Sequence, residues 1–159
     1  MKRASGFVHS SIRVDPQWRI GIVYSSFYED EIDQLVKGAR EVLLKAGIKA
    51  ANITEYPAAG SFELPLIGMT LAKAKKADAL IGIGIIVEGQ THHAELLARE
   101  SARGIMDVQV KYGIPFAFEV LYVKKLRHAK ARSRGAENKG GEAARAVLHS
   151  LAQIRKQRC

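Results

Sequence analysis

Two neighbouring histidines stand in EGQTHHAE, residues 88–95, directly after an apolar run and at the start of a helical pattern. An imidazole with an ordinary pKa of about 6.5 is suited to moving protons at neutral pH. Consecutive helical residues point about 100° apart, so only one of His92 and His93 can face a given ligand. The residues just before them matter as much. A helix start exposes unpaired backbone N–H groups, and Gly89, Gln90 and Thr91 could turn such donors onto a phosphate. The competing roles are capping and metal binding. A metal needs further ligands, and no third His or Cys follows at useful spacing, so no metal site is expected.

Three other segments carry related chemistry. SSFY, residues 25–28, offers Phe27, whose ring face suits a flat heterocycle; its plainer reading is an aromatic packed at a strand end. AAGSFELP, residues 58–65, puts Gly60 where a ligand can approach the backbone closely, just before a helix start. Taken as structure alone, Ser61 is a helix cap and Glu63 an acid in a first helical turn. Late in the chain, Arg132, Arg134 and Lys139 are either phosphate binders or solvated charges. A guanidinium fork matches phosphate geometry better than an ammonium does.

The elements that must position these residues follow from hydrophobic periodicity. RIGIVY (19–24), ANITEY (51–56), ALIGIGIIV (79–87) and PFAFEVLYV (115–123) are predicted strands. The third is apolar on both faces, as a central parallel strand is. Helical spacing spans 29–46, with Gly47 as its stop, then 62–76 and about 91–112. The tail predicts a basic segment, a glycine-bearing loop GAENKGG, and a last amphipathic helix from about 141 to 154. Alternating strands and helices imply βαβ units, a parallel sheet and helices on both faces. Ligands in such sheets sit beyond the carboxyl ends of the strands. Those ends are where the chemically suggestive segments fall.

Composition bounds the answer. The 159 residues are 47% hydrophobic and 26% charged, a globular balance that suits a single domain over residues 18–159. Residues 1–17 lack a clear period and are expected to form an arm. The lone cysteine, Cys159, closes no internal disulfide, which fits a reducing compartment. No run is long enough to cross a bilayer and no secretory pattern opens the chain, so a cytoplasmic protein is expected. The net charge of +9 favours anionic partners. A nucleic-acid role finds no recognition motif or aromatic–basic stripe, and none is expected.

Four elements in register resemble lumazine synthase, the enzyme of the penultimate step of riboflavin synthesis. The family's PGAFE-IP element is matched by AGSFELP (59–65), and its VI(R/E)G(E/A/Q)T-x-H element by IIVEGQTHH (85–93). Its P-x-x-F-G-V-L strand is matched by PFAFEVL (115–121), and its A-G-N-K-G-x-E-A-A element by AENKGGEAA (136–144). The chain departs at Ala59, which replaces a proline, and at Glu88, where many bacterial members carry arginine. Its spacing between Val123 and Lys139 is about one residue off the common pattern, so Arg134 rivals Arg132 as the phosphate ligand.

The resemblance implies a flavodoxin-like three-layer α/β sandwich with a four-stranded parallel sheet in the order 2-1-3-4. It implies condensation of 5-amino-6-(D-ribitylamino)uracil with 3,4-dihydroxy-2-butanone 4-phosphate to 6,7-dimethyl-8-ribityllumazine, phosphate and water, with no cofactor. It makes His93 the proton-transfer residue and Phe27 the plate that stacks on the pyrimidinedione. Gly60, Ser61, Phe62 and Glu63 would bind that ring and its ribityl chain. Val87 and Glu88 would line the site, and Gly89, Gln90 and Thr91 would form the phosphate turn. Phe118, Arg132 and Lys139 would come from a neighbouring subunit. A homo-oligomer follows, pentameric at its base, with pentamer, decamer and sixty-subunit shell all open.

Overall fold

A computed structural model describes residues 12–158. Four strands, β1 (Ile20–Ser25), β2 (Ile53–Ala58), β3 (Ala79–Val87) and β4 (Phe116–Val123), form one sheet in the order β2-β1-β3-β4. Every pairing is parallel: Ile20 lies opposite both Ile53 and Ala79, and Leu80 opposite Phe116. The strand order and direction are those expected from the resemblance. Because the strands start in step, their carboxyl ends gather on one rim. β3 sits between two neighbours, and its first eight residues are all buried. Pro57 interrupts the ladder only on β2, an edge strand, where a missing N–H is tolerated.

Helices cover both faces. On one side, α1 (Glu29–Lys45) and α5 (Lys139–Gln157) bury Ile32, Leu35 and Leu43 with Val147, Leu148 and Leu151 against Ile20, Ile22, Ile81 and Ile83. On the other, α2 (Leu64–Lys73) and α3 (His93–Tyr112) bury Leu64, Leu71, Ile105 and Val108 against Val23, Leu80, Phe116 and Val120. Each such aliphatic side chain contributes about 1.5–3 kcal/mol relative to exposure, so the two cores hold the layers together. Among the described residues no helix is long and apolar enough to cross a membrane.

At the amino end of the sheet Asp78 joins three elements. It accepts from the Arg19 backbone N–H at 2.8 Å, from the Arg19 guanidinium at 3.2 Å, and from Arg155 of α5 at 2.9 Å. Burial works to raise this carboxyl, but the Arg19 hydrogen bonds and the two guanidinium charges outweigh it and hold it below its ordinary value.

Several expectations shift. The predicted arm, residues 1–17, falls mostly outside the described residues; of the rest, Ile12 and Val14 pack on the α1–α5 side. The segment 62–76 divides into a 3-10 turn, Ser61–Glu63, and α2, which ends before Lys75. The helix expected from about residue 91 starts at His93. The basic segment contains a short helix, α4 (Leu126–Arg132), which charge had disguised as mere solvated surface. The glycine-bearing loop is shorter than expected, because Lys139, Gly140 and Gly141 already belong to α5. Asn138 caps that helix, accepting from the Gly141 N–H at 3.2 Å and donating to the carbonyls of Gln34 (2.7 Å) and Ser133 (2.6 Å).

Candidate functional site

β1 delivers the chain to the rim at Ser25, and Phe27 follows, 62% exposed. Its backbone N–H donates to Ser25 Oγ at 3.2 Å. Ser26 donates both its N–H (3.1 Å) and its hydroxyl (2.8 Å) to the Ala58 carbonyl, tying this turn to the end of β2. Tyr28 then adopts left-handed backbone, φ 61° and ψ 56°, to enter α1. Such a conformation costs an L-residue roughly 1–2 kcal/mol. Held this way, the Phe27 ring stays out of the core.

After β2 the chain passes directly beneath that ring. A Cβ added to Gly60 would lie 3.4 Å from the Phe27 ring and 3.3 Å from Glu63 Oε2. The ring and the carboxylate therefore flank bare backbone, a cradle that only a glycine leaves open. Phe62 stands 57% exposed beside it. Ser61 points the other way. Its hydroxyl is buried against Gly84 of β3 without a hydrogen-bond partner, and its carbonyl accepts from Ser101 Oγ of α3 at 3.0 Å. The expected Ser61 cap is absent because that side chain is inserted toward the sheet. An orphaned buried hydroxyl costs about 1–3 kcal/mol; in exchange, the turn is wedged between β3 and α3.

β3 ends at the half-buried Val87, and the Glu88 N–H donates to the Val123 carbonyl at 2.8 Å. Glu88, Gly89, Gln90 and Thr91 are exposed. Thr91 Oγ1 accepts from the His93 N–H at 3.4 Å, and His93 is the first residue of α3. The two histidines differ in their surroundings: His92 Nδ1 lies 3.7 Å from Glu95 Oε2. The unpaired N–H groups and positive dipole end of a twenty-residue helix thus face the loop after β3.

The remaining candidates do not join this cradle within the chain. Phe118 is the third residue of β4, exposed, and lies opposite Gly82, five residues before Val87. At about 3.3 Å per residue that places it roughly 16 Å back from the rim along the strand. A groove of about 350 Å3 runs beside it along the open edge of β4, lined by Ile105, Met106, Gln109, Phe116 and Val147. Arg132 ends α4, its guanidinium donating to the His128 carbonyl at 2.9 Å. Lys139 opens α5, its Nζ 2.6 Å from Glu142 Oε2.

One ionisable residue escaped sequence reasoning. Glu119 lies between Phe118 and Val120, on the face of β4 that turns toward α5. Burial pushes its carboxyl up to about 7, with Lys139 drawing it down and Glu142 pushing it further up. Its charge alone suggests an exposed strand position. Only the α5 packing shows otherwise.

Parallel strands ending on one rim, with an aromatic plate, a glycine cradle and a helix start around it, define a doubly wound α/β protein, a class in which small ligands sit at the strand ends. The sequence pattern of the 6,7-dimethyl-8-ribityllumazine synthase family matches residues 17–155. A 6,7-dimethyl-8-ribityllumazine synthase of Ruthia magnifica subsp. Calyptogena magnifica is 36% identical over 139 residues, covering 84% of this chain and 83% of that protein. Its counterpart in Vesicomyosocius okutanii subsp. Calyptogena okutanii is 35% identical with the same coverage. The chain belongs to the 6,7-dimethyl-8-ribityllumazine synthase family and is an enzyme of that kind.

Proposed function

We propose that this enzyme condenses 5-amino-6-(D-ribitylamino)uracil with 3,4-dihydroxy-2-butanone 4-phosphate, releasing phosphate and water. The observation that carries the reading is the Gly60 cradle, where the Phe27 ring and the Glu63 carboxylate flank the same stretch of bare backbone. A planar pyrimidinedione stacks on Phe27 while its N–H groups meet Glu63 and its carbonyls meet the backbone of the 60–63 turn. Phe62 and Val87 line the same rim. The butanone phosphate lies against Gly89, Gln90 and Thr91, near the positive start of α3.

The chemistry needs few groups. The uracil 5-amino nitrogen attacks the ketone carbonyl, and loss of water leaves an imine. A proton leaves the adjacent carbon as phosphate departs, the resulting enol takes a proton on its terminal carbon and becomes a ketone, and attack of the ribitylamino nitrogen on that carbonyl with loss of water closes the ring. His93 moves the protons, since it opens α3 beside the phosphate turn while His92 stays near Glu95. Both substrates are reactive already, so much of the acceleration comes from holding them in register.

The proposal includes self-association. Phe118 sits far back along β4, and Arg132 and Lys139 stand beyond that strand. A second copy would present its own Phe118, Arg132 and Lys139 to this cradle, with Arg132 or Arg134 meeting the phosphate. Exposed Leu96, Met106 and Val110 on α3 supply apolar surface for such an interface.

Incubation with the two named substrates, followed by lumazine fluorescence, tests the assignment. Product should form far faster than in buffer, and His93→Ala should lower kcat roughly 100-fold, within the range of lost acid–base catalysis, while leaving the assembly mass unchanged. A wild-type rate equal to the buffer rate refutes the reaction. Equal rates in wild type and variant refute the role of His93.

A further inference from the structure

Arg132 and Arg134 are two residues apart, yet the fold treats them differently. Arg132 ends α4, and the chain on either side of it is tied to α1. Two positions before it, Lys130 Nζ lies 3.9 Å from Glu31 Oε1. One position after it, the Ser133 carbonyl accepts from Asn138 Nδ2 at 2.6 Å, and the same amide donates to the Gln34 carbonyl at 2.7 Å. Glu31 and Gln34 are one turn apart on the same face of α1, and Lys130 and Ser133 have the same spacing around the end of α4. Gly38, a further turn along α1, makes room for the Asn138 side chain, since a Cβ there would overlap its amide. Arg134 lies beyond both ties, exposed and next to Gly135, whose φ is 67°. Glu31 is the unusual member of this contact. It is 4% exposed, whereas its neighbours Glu29 and Asp30 face water. Burying a carboxylate is costly unless a cation stands close, and the half-exposed Lys130 is that cation. A buried ion pair contributes little net stability; what it can fix is the register of one element on another.

We propose that Glu31 is a positioning residue: through Lys130 it holds α4 in register on α1, and so aims Arg132 at the phosphate of the substrate in the neighbouring copy's cradle. The inference rests on the reading above that a second copy supplies the phosphate ligand, and it selects Arg132 over Arg134 for that task. A helix of seven residues whose one buried side chain is Ala129 has little packing of its own to fix its direction. The Arg132 guanidinium rests on the His128 carbonyl of the same helix at 2.9 Å, so the fork turns as α4 turns. A guanidinium meets a phosphate through paired hydrogen bonds of set geometry, and any freedom left in α4 must be lost on binding.

The test measures KM for each substrate in wild type and Glu31→Gln. The substitution removes a negative charge, so its field alone would tighten binding of the anionic substrate; loss of positioning does the opposite. KM for the butanone phosphate should rise roughly fivefold, the scale of one partly exposed ion pair, while KM for the pyrimidine and the mass of the assembly stay unchanged. Lys130→Arg keeps the pair and should keep the wild-type values. Lys130→Met should match Glu31→Gln and serves if the glutamine variant fails to fold. The double variant, Glu31→Gln with Lys130→Met, restores the net charge and should still show the raised KM, no larger than in either single variant. An unchanged or lower butanone phosphate KM in Glu31→Gln, two KM values that rise together, or a double variant that returns to wild type overturns the proposal. Arg132→Met separates the two levels of argument. If it raises the butanone phosphate KM while Glu31→Gln does not, only the positioning role is lost; if it leaves that KM unchanged, the phosphate contact of Arg132 fails and the positioning role with it.

Discussion

Replacing Gly140 with alanine probes the junction on which the head of α5 depends. A Cβ at this position would overlap the Leu35 carbonyl oxygen of α1 and stand 2.7 Å from its carbonyl carbon. Ordinary contact begins at 3.4 Å, so the backbones must part by at least 0.7 Å, the difference of those two distances. No flexible side chain can yield, because the obstructing atoms are backbone. Alanine regains about 1 kcal/mol of helix propensity over glycine, whereas overpacking a filled core costs roughly 1–3 kcal/mol, at the upper end when backbone must move. The clash wins by about 2 kcal/mol, which for a chain of this size lowers Tm by roughly 4–8 °C. Lys139, proposed to reach a neighbouring copy's cradle, is the preceding residue, so the displacement should also raise KM. Thermal unfolding followed by circular dichroism gives the first quantity, and fluorescence kinetics the second. Gly89→Ala, with no atom within 4 Å of its added Cβ, is the stability control and should leave Tm unchanged. An unchanged or higher Tm in Gly140→Ala would refute the close-approach argument.

Three further outcomes follow from the same structure. Tyr28→Asn should stabilise the fold by about 1 kcal/mol, since asparagine accepts left-handed backbone that costs tyrosine about that much or more; chemical denaturation showing no gain would contradict this. Asn138→Ala strips the cap of α5 and the donors to Gln34 and Ser133, and should cost about 2–3 kcal/mol in the same assay. For Glu119 the sign is set by a folded pKa, about 7, that lies above the unfolded value of 4.5. The native state then holds its proton more tightly. The carboxyl imposes no penalty below pH 4.5, an increasing one as pH rises toward 7, and the full one above. Glu119→Gln should thus be more stable than wild type at pH 8, by at most about 3 kcal/mol, with the gain vanishing near pH 4; an equal gain at both pH values contradicts the shift.

Much of the fold was legible because burial on a parallel sheet leaves a plain mark. ALIGIGIIV is apolar at every position since helices cover both faces, and the strand it forms matches the predicted span. α1 was equally clear, because its stripe of Ile32, Leu35, Val36, Ala39 and Leu43 faces one core. Edge strands were harder: β2 lies two residues later than predicted, since half of its positions are exposed and a 3-10 turn precedes it. The candidate site was legible by the same logic, as its segments follow strands whose ends must share a rim.

The local pattern determined the number of strands, their burial and the identity of the turns that carry Phe27, Gly60 and His93. Those are properties of short stretches, set by side-chain period and by where helices can start. Only the tertiary structure decided that Ser61 turns inward as a wedge, that Gly140 must lack a side chain, that Asn138 joins α1 to α5, and that burial raises the Glu119 carboxyl. Each of these depends on what a distant segment brings within a few ångströms. Spacing along the chain carries no record of that distance until the layers pack.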